Sequence, residues 1–150
     1  LVLVALLAAP AQSRERRPAS VRDLLAAAEA ALRAGDYVKA VGLFEKARHH
    51  PDFVQARPSV ELILAAGDQK FAGNTRADQE EALETYDLAF EVYGQRLGAF
   101  DHALVRVRRA DVYLRQGLGD KAREEIAAIR NTLSATAAVA ILPINTHTPA

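Results

Sequence analysis

Three stretches of this chain share one arrangement of small and large side chains: Gly35-x4-Ala40-x3-Phe44-x2-Ala47, Ala82-x3-Tyr86-x2-Ala89, and Gly117-x4-Ala122-x3-Ile126-x2-Ile129. The leading alanines recur after 42 and then 40 residues. A period in the range of about 20–50 residues marks a solenoid, whose units cannot bury their own apolar faces and must stack on a neighbour. The pattern therefore predicts an all-α chain of three stacked units. It also predicts a protein that works by binding.

The flanking residues predict where the helices start and stop. Ser20-x-x-Asp23 is a capping box, and Leu24, Leu25, Ala28 and Leu32 follow as an apolar stripe at helical spacing. Gly35 ends that helix, since glycine takes the left-handed conformation without a Cβ clash. Asp36 caps a second helix with Tyr37, Ala40, Val41, Phe44 and Ala47 inward, and Pro51 stops it. Pro58-Ser59 opens a third helix through Val60, Ile63, Leu64, Gly67 and Phe71, and Gly73-Asn74 breaks it. Asp78-x-x-Glu81 is read as the capping box of a fourth helix that ends at Leu97-Gly98. Asp101 and Asp120 are read as caps of a fifth helix and a sixth, the sixth carrying Ala122, Ile126, Ile129 and Leu133. The three hairpins span about 20–51, 58–97 and 101–133, with 134–150 as a stub or tail. Ala135–Leu142 is apolar enough to begin a seventh helix, which Pro143 cuts short.

Charge and composition remove several functions. Nineteen basic and nineteen acidic residues cancel, so the basic excess that a phosphate backbone requires is missing and nucleic acid is not an expected partner. Cysteine is absent, and with it disulfides, thiolate metal sites and a cysteine nucleophile. No Gly-rich phosphate loop, His-Glu-x-x-His or Gly-x-Ser-x-Gly occurs. His49 and His50 sit at a helix end, where a cationic ring suits the dipole. Glu80-Glu81 and Glu124-Glu125 are adjacent, so each pair diverges around its helix and is read as solvated. The chain is expected to be no enzyme and to need no cofactor or metal.

Small residues where helices cross, and aromatics between them, resemble the tetratricopeptide repeat. The third hairpin fits through Ala110, Tyr113, Gly117, Ala122, Ile126 and Ile129, and the first through Ala28, Gly35, Tyr37, Ala40, Phe44 and Ala47. The second fits only in its second helix. A period near 40 resembles the longer, kinesin-light-chain-like variety, with Leu97-Gly98 and His102 close to where that variety places Leu-Gly and His. The resemblance implies a right-handed superhelix of antiparallel hairpins, the first helix of each lining a concave groove. It also implies that Glu29, Asp68 and Asp111 point into that groove, with Leu25, Leu64 and Val107 four residues before them. A row of acids beside an apolar stripe suits a protein or peptide with basic and aliphatic residues. Arg108 and Arg115 are placed to pair with Asp111. Helix one has Leu25 and Glu29 where the family's clamp for chaperone C-termini places Lys and Asn, so that use is not expected.

The start of the chain bears on location. Leu1–Ala8 is apolar and Ala9-Pro10-Ala11 follows, so residues 1–11 read as the end of a signal peptide or as the last turns of a membrane anchor. Residues 12–19, with Arg14, Arg16 and Arg17, read as a linker. Either reading of 1–11 places the folded part outside the cytoplasmic membrane, periplasmic or secreted, or tethered to it through residues 1–8. The leading expectation is a non-catalytic scaffold. The alternative is the regulatory region of a larger enzyme, such as a membrane-anchored kinase. A three-unit stack also leaves Ile126, Ile129 and Leu133 open at its end, which predicts self-association there.

Overall fold

The computed structural model describes residues 19–140, and these are all-helical. The remnant expected at 1–11, most of the 12–19 linker and residues 141–150 lie outside that range. Seven α-helices follow in order: α1 Val21–Arg33, α2 Tyr37–Arg48, α3 Phe53–Ala56, α4 Val60–Phe71, α5 Arg76–Tyr93, α6 Ala99–Arg115 and α7 Gly119–Ala140. A single 3-10 turn, Gly94–Arg96, follows α5. The helices α1 and α2, α4 and α5, and α6 and α7 pack as consecutive pairs. The pairs meet through α2 on α4, α5 on α6, α1 on α4 and α4 on α6.

Several helix ends form as their sequences dictate. The Ser20 hydroxyl accepts from Asp23 N and the Asp23 carboxylate accepts from Ser20 N, so two orphan donors are satisfied reciprocally. Gly35 and Gly117 take positive φ, 78° and 76°, in the turns of the first and last pairs. Asp36 caps α2 through Lys39 N, and Ser59 caps α4 through Leu62 N.

Other boundaries differ from expectation. The box that opens α5 is Thr75–Asp78, not Asp78–Glu81. Asp78 accepts from both the hydroxyl and the backbone N–H of Thr75, and these bonds hold its carboxyl below the usual carboxylate range. α5 stops at Tyr93, four residues before Leu97, and the Tyr93 hydroxyl donates to the Pro58 carbonyl at 2.9 Å, tying the helix end to the start of α4. α6 begins at Ala99 after Gly98, so Asp101 sits in its first turn, where it meets the helix dipole, and is not its cap. The extra turn α3 carries Phe53 into the core, edge-on to Phe44 at 5.5 Å. α7 runs unbroken to Ala140, so no separate helix begins at Ala135.

The repeated small and aromatic residues form the core. Ala40, Phe44, Ala47, Ala82, Tyr86 and Ala89 are all buried, and Ala28 lies under the first crossing. Alanines let helix axes close in, and the rings fill what remains between pairs. Tyr37, expected inward, is mostly exposed at the first position of α2. Glu125 corrects the expectation of a solvated acidic pair. It is buried between α6 and α7, bound by Arg106 at 2.7 Å and Arg109 at 2.9 Å.

Beside this ion group, His102 is held as a neutral ring. Its Nε2 accepts from Arg106 Nε at 3.3 Å, so its proton is on Nδ1, facing Thr132 Oγ1 at 3.3 Å. The Thr132 hydroxyl in turn donates to the Ala128 carbonyl. Burial, and secondarily the Arg106 charge, lowers the His102 pKa from the usual 6.5. A ring that resists protonation only in the folded state stabilises fully above the unfolded pKa of 6.5, and that stability is lost as pH falls below it. His102→Gln should therefore flatten the loss of stability between about pH 7.5 and 5.5 in urea unfolding; an unchanged slope would exclude His102 as its source.

Candidate functional site

A groove of about 730 Å³ opens along the edge shared by α1, α4 and α6. Its walls follow from helical spacing. Val60, Leu64 and Asp68 recur every four residues on α4, as Phe100, Leu104 and Arg108 do on α6. Leu32 and Tyr37 close the end beside the first pair, and Glu61 and Asp101 stand at the rim. The walls are thus mostly apolar. Phe100 is 71% exposed, much more than a core ring would be.

The polar centre is Asp68. Tyr86 is wholly buried in α5, and its hydroxyl donates to Asp68 Oδ1 at 2.7 Å. Arg108 Nε donates to the same oxygen at 2.8 Å. Burial, then the bond to Asp68, pushes the Tyr86 pKa far above its ordinary value. The hydrogen bond to Asp68 likewise raises that of Arg108. The carboxylate is therefore held from below by a phenol and from the side by a guanidinium, with both donors on one oxygen. This is possible because Gly67 lets the Tyr86 ring pass against α4; a Cβ there would overlap ring carbons Cδ1 and Cε1.

The structure brings two of the six expected groove residues, Leu64 and Asp68, to this groove. Leu25 is buried in the core. Glu29 accepts from Ser59 N at 3.1 Å, so it fastens the start of α4 to α1. Asp111 and Val107 are exposed on α6 but outside the groove lining. Arg108 pairs with Asp68 and not with Asp111, while Arg115 lies 4.0 Å over the Phe71 ring. Tyr37 and Leu104 were expected on inner helix faces and not in a groove, and Phe100 and Glu61 had no expected role. The readable signal for Phe100 and Leu104 was the stripe Phe100, Leu104, Arg108, hidden by starting the helix after Asp101.

No family model matches this chain, and no curated protein or solved structure does either. Among the described residues no cluster of three or more potential metal ligands occurs, and no helix is long and apolar enough to cross a membrane.

Proposed function

We propose that the chain is a non-catalytic binding module: a right-handed solenoid of three antiparallel hairpins, similar to the longer tetratricopeptide repeat, that holds a segment of a partner protein in its groove. The observation that carries this reading is the groove itself. Helices α1, α2, α4 and α6 contribute to one mostly apolar trough, at whose rim Glu61 and Asp101 have no ion-pair partner among the described residues.

The trough suits a segment with aliphatic side chains to cover Leu64, Leu104 and Phe100, and with Lys or Arg to meet Glu61 and Asp101. Asp68 is already balanced by Arg108, so it contributes a fixed acceptor more than a free charge. Uncompensated carboxylates at the rim repel phosphate, which supports a protein partner over a nucleic acid.

The test uses two fluorescent pools of short peptides, one with Lys or Arg between aliphatic residues and one with Glu in the basic position. The basic pool is expected to bind the chain and the acidic pool to bind at least about tenfold more weakly. Phe100→Ala and Glu61→Lys, both at exposed positions, should each weaken the basic pool about tenfold, as loss of a central anchor or a rim charge does. Equal binding of both pools, or binding indifferent to both substitutions, contradicts the reading.

A further inference from the structure

The last helix pair leaves large apolar side chains open on both of its helices. Val107 and Leu114 on α6, and Leu118, Ile126 and Leu133 on or just before α7, account for five of the eight large hydrophobic side chains that the described residues expose. Their spacing makes two stripes. On α6 the order is Val107, Asp111, Leu114; on α7 it is Ile126, Arg130, Leu133. Each stripe is apolar, charged, apolar at steps of four and three residues, so each lies on one side of its helix.

The two charges are opposite in sign, and both are exposed. Neither has an ion-pair partner among the described residues, although Glu125, Arg106 and Arg109 nearby are fully engaged. Asp111 borders the groove side of α6. Arg130 lies at the far margin of α7, one turn beyond Ile126. The face therefore has an apolar centre with an acid on one edge and a base on the other.

Such a face is complementary to itself. In a two-fold pairing, residue i of one copy meets residue j of the other and j meets i. With the axis through the apolar centre, Asp111 of each copy reaches the Arg130 of the other, and the leucines and isoleucines close between them. We infer that this face is an interface between two copies of the chain, a symmetric dimer joined through α6 and α7. On α6 the face continues the line of Phe100, seven residues before Val107, so the dimer borders the groove.

The test is sedimentation velocity on the full 150-residue chain from about 1 to 200 µM, a span over which mass action populates a weak dimer. The mass is expected to rise from 16.2 kDa towards twice that value. Ile126→Glu, at an exposed position, should hold the chain as a monomer with an unchanged far-ultraviolet circular dichroism spectrum. Asp111→Arg alone should weaken association at least about tenfold by placing two cations together. Asp111→Arg combined with Arg130→Asp should restore it. A wild-type chain that stays monomeric throughout overturns the inference, whether residues 141–150 or another protein cover the face. So does association that survives Ile126→Glu, or a double exchange that keeps its helical spectrum and fails to restore the dimer.

Discussion

Gly67→Val should destabilise the fold by about 3 kcal/mol, the upper end of what overpacking a filled core costs. The first added carbon already overlaps the Tyr86 ring, and valine brings two more. The ring has nowhere to go, because it is fully buried and its hydroxyl is bound to Asp68. The backbone of α4 must move away from α5 instead, which also spoils the carboxylate at the centre of the groove. Gly42→Ala is the matched control. Gly42 lies inside α2 with open space where its Cβ would be, so alanine there should stabilise by about 0.5–1 kcal/mol through helix propensity. Urea midpoints of the two variants should move in opposite directions. A shift in the same direction would mean that the close passage of Tyr86 over Gly67 does not limit the packing of α4 on α5.

The second large effect is at Glu125. This carboxylate is the common partner of Arg106 and Arg109, and Arg109 also reaches Asp87 on α5. Three helices thus share one ion group, roofed by Phe90, with the Arg106 guanidinium 5.3 Å from its ring centre. Glu125→Ala leaves Arg106 with no carboxylate and Arg109 with Asp87 alone, and should cost about 3 kcal/mol, the low end for breaking a buried pair, since both arginines keep some contact with water. Glu125→Gln retains the shape and one acceptor and should cost less. Because the group joins α7 to α5 and α6, amide exchange should accelerate in α7 and leave α1 and α2 unchanged. Equal stability of Glu125→Ala and the parent would show that the arginines find water instead.

These two sites differ in how much the sequence revealed. The alanines and rings of the repeat announced the core, and Ala40, Phe44, Tyr86 and Ala89 are buried as their spacing requires. Gly67 was legible as an inward small residue on its helix, but nothing local named Tyr86 as the ring that needs the space. Glu125 was misread because adjacent glutamates look solvated; its partners lie 16 and 19 residues away on another helix. The α5 and α6 boundaries were missed for a related reason. Asp78 and Asp101 are each reasonable caps, but Asp78 is the third residue of the helix that Thr75 caps, and Asp101 lies in the first turn of the helix that starts at Ala99. Two of the six expected residues line the groove. Leu64 and Asp68 are where the register put them, whereas Glu29 was captured by the backbone of Ser59, a contact between pairs that the register of one helix does not contain.

We propose that the trough lined by α1, α4 and α6 is where this chain binds another protein. The most direct measurement is a set of amide and methyl NMR spectra recorded while adding the tightest peptide of the basic, aliphatic pool. Shifts should concentrate at Leu64, Asp68, Phe100 and Leu104, with Ile126 and Leu133 unmoved. Shifts confined to α7 or to the outer face of α2 and α5, or no shifts at saturating peptide, would contradict it.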